Sequence, residues 1–230
     1  MFFRHAQDIQ NVVAGNHFTL FIHAQAAVRV AVVGKAHIQA VILDELLQML
    51  DMSRAGILID GHILHGASDI IGAIGWLALK PPYDKYWDQC GCFETHASGD
   101  GLAKQAQIFL REDKEYNGVL RNKPIEEVTS YDVFAEYPNG DPIAVRVIDQ
   151  AIEMWGMAAA NLVSLLNPEM VIFGGGIFGP AAPLIPRIYE EAKKWAQPIS
   201  IKQTKFVATQ LPKMAGLYGA GGVAIQALKQ

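Results

Sequence analysis

Cysteine is nearly absent. Cys90 and Cys92 are the only two in 230 residues, which excludes a disulfide-stapled scaffold and makes a reducing cytoplasm the expected setting. Basic residues are also few: 19 Lys+Arg against 23 Asp+Glu leave a net charge of −4. With no clustered basic face, no nucleic-acid partner is expected. No run of roughly 18 uncharged apolar residues occurs, so no membrane span or membrane partner is expected either. The opening Met1-Phe2-Phe3-Arg4-His5-Ala6-Gln7-Asp8 lacks the basic and apolar regions of a secretory leader. Proline is missing from residues 1–50, and no internal repeat is visible.

Apolar residues are plentiful. At 51% hydrophobic and 18% charged, the chain can bury a substantial core, as one large domain or two small lobes. Residues 18–23 (Phe-Thr-Leu-Phe-Ile-His) and 28–32 (Val-Arg-Val-Ala-Val) read as short strands by alternation and β-branched content. Ile38, Ile42, Leu46 and Leu50 then recur at helical spacing. His5, His17, His23 and His37 never fall at i, i+4, so no metal site is expected there.

Asp60-Gly61 between the apolar runs 56–59 and 62–64 signals a hairpin, because this dipeptide tolerates the positive φ of a type I′ turn. Residues 67–82 read as irregular chain ending in Pro81-Pro82, and Tyr83, Tyr86 and Trp87 follow as an aromatic cluster. A helix is expected over 97–111. A longer one opens at Asp141-Pro142, where Asp caps and Pro wastes no N–H, and stops at Asn167-Pro168. Met170-Val171-Ile172-Phe173 is a buried strand running into Gly174-Gly175-Gly176. Another helix is expected over 186–196 and a strand over 206–208, followed by a small, glycine-rich tail. Helix, buried strand and glycine turn in that order indicate an α/β fold.

Three places could carry chemistry. Gly174, Gly175 and Gly176 let backbone approach a ligand without a Cβ, although a tight turn needs the same residues. Cys90-Gly91-Cys92 has only His96 near it, too few ligands for structural zinc, so no metal is expected. Glu94 and Ser98 lie four apart, on one face if a helix begins that early, and the carboxylate could accept from sugar hydroxyls.

The order of these segments resembles the ROK family of repressors, open reading frames and sugar kinases. The resemblance rests on Gly91-Cys92-Phe93-Glu94-Thr95-His96-Ala97-Ser98-Gly99, on Asn139-Gly140-Asp141-Pro142-Ile143-Ala144, and on the run from Asn161 to Gly176. Ala215-Gly216-Leu217-Tyr218-Gly219-Ala220 closes it, and the Ala55–Gly61 and His65-Gly66-Ala67 segments resemble the family's hairpin before its sugar site. The likeness covers about residues 55–230. It implies an actin-like, hexokinase-type (ribonuclease H-like) ATPase lobe in which helices pack on a mixed sheet. Residues 55–230 would be the C-terminal lobe, and 1–54 a short or degenerate N-terminal segment corresponding to an incomplete nucleotide lobe. ATP and Mg as cofactors, a small-molecule sugar and a homodimer are implied as well. Glu94 would accept a sugar hydroxyl, and Gly174, Gly175 and Gly176 would line the adenosine side.

The chain also departs from the family's pattern. Asp8-Ile9-Gln10-Asn11-Val12, nearest to the first phosphate loop, has no glycine pair, and Leu50-Asp51-Met52-Ser53-Arg54, in place of the second, has no glycine. No Asn-Asp dipeptide occurs, so no catalytic base can be named. Where the family carries Glu-x-Gly-His, this chain has Ala73-Ile74-Gly75-Trp76, which places Trp76 on the substrate side. Lys85 and Trp87 occupy two positions of the family's zinc cysteines, so no zinc is expected. The expectation is a ROK-type sugar kinase homologue, glucokinase-like, transferring phosphoryl from ATP to a hexose or N-acetylhexosamine weakly or not at all. A non-catalytic carbohydrate-binding or oligomerisation module, with Trp76, Tyr83, Tyr86 or Trp87 stacked on a sugar, is the alternative. A sugar-responsive transcriptional regulator ranks third, since residues 1–50 offer only Arg4, Arg29 and Lys35 as basic side chains.

Overall fold

A computed structural model describes residues 19–22, 29–32, 53–60, 62–68 and 70–211. Its mixed sheet contains β1 (Thr19–Ile22), β2 (Arg29–Val32), β3 (Arg54–Ile59), β4 (His62–Ile63), β5 (Met170–Gly174) and β6 (Lys205–Ala208). The strands expected at 18–23 and 28–32 do form, and they join the hairpin region to β5. β1 is antiparallel to β3, with Phe21 opposite Gly56, and parallel to β5. β2 is parallel to β3, with Arg29 opposite Arg54, and antiparallel to β5. β4 folds back on β3 with Leu58 opposite Ile63, and Asp60 takes the left-handed turn conformation at φ 51°.

Six α-helices lie among the described residues: α1 (Cys92–Ala97), α2 (Gly99–Glu112), α3 (Ser130–Glu136), α4 (Pro142–Leu166), α5 (Ile185–Lys193) and α6 (Ser200–Gln203). The helix expected over 97–111 is α2, which starts at Gly99, and a separate short helix, α1, precedes it. At Ser98 the backbone is extended, and its hydroxyl accepts from the Gly101 N–H at 3.0 Å. A serine that caps the next helix ends the previous one, because an N-cap residue cannot itself be helical. Similarly, α5 stops at Lys193 rather than running through 196, and a 3-10 turn, Ile74–Trp76, interrupts the irregular stretch 67–82. The helical spacing at 38–50, the four histidines of residues 1–50, the segment 8–12 and the glycine-rich tail lie outside the described residues.

Helix α4 is the spine. Asp141 Oδ1 accepts from the N–H groups of Ile143 and Ala144, both at 3.0 Å, and Asn167 closes the helix in the left-handed conformation at φ 44°. Ile148, Ala151, Trp155, Ala159 and Val163 are each at most 1% exposed. A helix this thoroughly buried is covered on more than one side. Its coverage includes an aromatic ladder. Trp155 lies 5.2 Å from Phe178, Phe178 lies 5.0 Å from Phe173 on β5, and Phe173 lies 5.3 Å from Phe206 on β6. Tilted pairs at this spacing favour ring edge against ring face. β5 and β6 are parallel, and α5 and α6 fall between them in sequence, as a parallel pair requires a crossover.

Candidate functional site

Glu94 sits in the first turn of α1 and is 5% exposed. A carboxylate there must be hydrogen-bonded or neutral, since burial disfavours its charged form. Hydrogen bonds are present, and burial acts in the other direction. The Ser53 N–H, just before β3, donates to Glu94 Oε2, and the Ser53 and Ser98 hydroxyls also bond the carboxyl group. Burial nevertheless holds its pKa above the ordinary 4.5, with the serine bonds pulling it back down and Asp100 adding a small upward push.

Two glycines set the geometry of this junction. Gly75, in the 3-10 turn, donates its N–H to the Ser53 carbonyl at 3.0 Å, and a Cβ on it would stand 3.0 Å from Glu94 Oε2. Gly91, which caps α1, holds φ 91°, and a Cβ there would run into the Gly75 carbonyl. Only residues without a Cβ let the turn and the helix start approach so closely.

Of the residues expected on the sugar side, the structure brings two into one neighbourhood. Trp76 follows Gly75 directly, is 47% exposed, and has its Cα against Gly91. Ala73 precedes this turn and contributes no polar side chain.

Gly174, Gly175 and Gly176 lie elsewhere, at the end of β5. Gly175 has φ 93°, and the Gly175 and Gly176 carbonyls accept from Phe178 N–H at 3.1 Å and Gly179 N–H at 3.2 Å. Of the three, only Gly176 is open to solvent, and Gly174 and Gly175 are buried. Among the described residues no group of three or more His, Cys, Asp or Glu could hold a metal ion. Cys90 and Cys92 are free thiols, and Cys90 Sγ lies 3.2 Å from Thr95 Oγ1.

The two regions are mechanically joined through α4. Trp155 Nε1 donates to the Ala97 carbonyl at 3.0 Å, tying the end of α1 to the spine, and the same indole packs on Phe178 just past the glycine turn. Sequence reasoning named Glu94, Ser98 and Trp76 but missed Ser53, Gly75, Gly91 and Trp155 as the parts that hold them. The Gly-Cys-Phe-Glu order was a usable signal for Gly91, since a glycine immediately before a helix permits a left-handed cap. Nothing local in the sequence points from Ser53 to Glu94.

Comparison with known proteins places this arrangement. Residues 53–227 match the profile of the ROK family. A glucokinase from Halalkalibacterium halodurans is 32% identical over 168 residues, covering 72% of this chain and 51% of the relative. The DNA-binding transcriptional repressor Mlc of Escherichia coli is 29% identical over 168 residues, covering 72% of this chain and 40% of the relative. The chain thus spans about half the length, or less, of these relatives. Among solved structures, a ROK family glucokinase from Streptomyces griseus, in complex with glucose and AMPPNP, superposes with TM-score 0.68 at 20% identity, over 93% of this chain and 62% of that one. A ROK hexokinase from Thermus thermophilus gives TM-score 0.64 at 22% identity, over 95% and 61%. The fold is of the α/β class expected from the order of helix, buried strand and glycine turn, and it is the actin-like fold that the family resemblance implied.

Proposed function

The chain belongs to the ROK family, and from that premise we propose that it is a sugar-recognising protein related to glucokinases, with little or no phosphoryl transfer of its own. The ligand is a hexose or N-acetylhexosamine, one hydroxyl of which donates to Glu94 beside Trp76. One observation carries this reading. Glu94 is buried, its Oε2 accepts from the Ser53 N–H, and it lies against the Gly75–Trp76 turn. The carboxylate and imidazole that the family's Glu-x-Gly-His loop would add are replaced by Ala73 and Trp76, which removes polar contacts from the same side. ATP, if bound, would meet the chain at Gly174, Gly175 and Gly176, and residues 1–54 would contribute the incomplete nucleotide lobe.

Calorimetry with glucose, mannose and N-acetylglucosamine, together with a coupled ADP assay, tests both halves. At least one sugar is expected to bind, and Glu94→Ala is expected to weaken it tenfold or more. ADP release should stay close to the no-sugar control. Silence across all three sugars overturns the recognition reading. Sugar-dependent turnover in the usual kinase range, about 1–100 per second, overturns the impairment.

A second reading is favoured by the Mlc match: the same lobe could serve as the sugar domain of a transcriptional regulator. A gel shift at low salt separates the two, since DNA retention by this chain belongs to the regulator alone. We also propose a homodimer in the cytoplasm. Its support is the exposed apolar side chains Leu165, Trp195 and Ile199, at 78%, 62% and 64% exposure, and two free thiols. Light scattering that shows a clean monomer would refute the dimer. No helix among the described residues is long and apolar enough to cross a membrane.

A further inference from the structure

The other face of α1 opens on a groove of about 590 Å³, within the range of roughly 300–1,000 Å³ typical of ligand pockets. It lies between the loop 80–88 and the outer side of α2, with Thr95 and His96 on its wall. Neither Glu94 nor Trp76 lines it.

Its walls are aromatic and held in place. Tyr83 and Tyr86 are 68% and 41% exposed. Trp87 stands edge-on to Tyr83 at 6.2 Å and to His96 at 6.0 Å. The Tyr83 hydroxyl donates to Asp88, and Asp84 accepts from the Tyr86 N–H at 2.8 Å, so the short 3-10 turn Lys85–Asp88 is capped. Large apolar rings left this exposed yet positioned make a stacking platform.

His96 supplies a directed polar group. Its Nδ1 is 2.8 Å from the Cys92 carbonyl, which can only accept, so Nδ1 carries the hydrogen. Burial disfavours the imidazolium, so the ring is neutral and Nε2 is an acceptor. The charges on the wall largely cancel. Lys104 is paired with Asp100 at 2.5 Å and Arg111 with Glu126 at 3.0 Å, which leaves Lys80 and Asp84, of opposite sign.

We propose that this groove is a second ligand site, for a neutral carbohydrate residue whose apolar face stacks on Tyr86 and Trp87 while one hydroxyl donates to His96 Nε2. The site is independent of Glu94 and of any phosphoryl transfer.

Amide chemical shifts of the full chain, followed during titration with glucose, maltose and glucose 6-phosphate, test it. In Glu94→Ala, glucose or maltose should still move the amides of residues 80, 83–88 and 95–96. Tyr86→Ala should weaken that event about tenfold, the loss of one stacking partner, and leave the Glu94-dependent event unchanged. Ile108→Glu, on the α2 wall at 41% exposure, should block the groove in the same way. Both side chains are exposed, and circular dichroism checks that each variant is folded. The proposal falls if neither neutral sugar moves these amides. It falls equally if both variants bind like the parent, or if glucose 6-phosphate binds tenfold more tightly than glucose.

Discussion

Helix α1 is buried along its whole length, yet its faces meet different neighbours. On one, Glu94 is enclosed by Ser53, Ser98 and Gly75; on the other, Thr95 and His96 border a groove open to solvent. Yet both titratable groups are pushed towards neutrality. Burial raises the Glu94 pKa above 4.5 and lowers the His96 pKa below 6.5, because removing water penalises whichever form carries charge. The difference lies in how each is anchored. Glu94 depends on a partner 41 residues away, whereas His96 is held by a carbonyl one turn back on its own helix. The Glu94 face is therefore hostage to the packing of β3 and the 3-10 turn, and the groove face is largely self-supporting.

Gly91→Ala should break the comparison most severely. The new methyl would collide with the Gly75 carbonyl at a backbone φ of 91°, and a cost of about 3–5 kcal/mol is expected. Thermal unfolding should show a midpoint lower by about 10 °C, given some 2–4 °C per kcal/mol for a chain of this size. A drop of only a degree or two would mean that the turn and α1 are not in contact. Trp155→Phe comes next. It keeps the aromatic ladder but removes the bond to the Ala97 carbonyl, leaving a buried acceptor unmet at about 1–3 kcal/mol. Denaturant unfolding reads this directly, and parent-like stability would show that α1 is not tied to the spine.

Glu94→Gln sharpens the contrast through pH. Since the folded carboxyl keeps its proton to higher pH than an exposed one, the stability it lends is fully present below about pH 4.5 and is lost as pH rises through the folded pKa. The glutamine variant cannot ionise. Relative to it, the parent should lose stability between pH 4.5 and neutrality, measured as paired melting curves; a parent that gains on the variant over that interval contradicts the burial argument. Tyr86→Ala should do least to the fold, within about 0.5 kcal/mol of the parent, as an exposed side chain on the groove rim. A large loss there would make the aromatic loop a structural support instead of a ligand platform.

Local signals explain which parts were legible from the chain. The spine could be read end to end, because Asp141, Pro142 and Asn167 each act on their immediate neighbours. Asp60 marks the hairpin turn for the same reason. The short helix α1 was missed although its boundary signal is local: Ser98, whose hydroxyl caps α2, also ends α1. Likewise the separation of the glycine turn from Glu94 could not be read. Both sit in motifs of similar appearance, but only the course of α4 decides that they meet through Trp155 rather than directly.

By itself, the amino-acid order determined the α/β class, the family kinship, the hairpin, the capped spine and the candidacy of Glu94, because each follows from residues adjacent along the chain. Tertiary structure alone decided that Ser53 and Gly75 close over that carboxyl group and that the aromatic loop faces His96 across a groove. Those outcomes depend on distances between segments tens of residues apart, and these are fixed only once the sheet and α4 have packed.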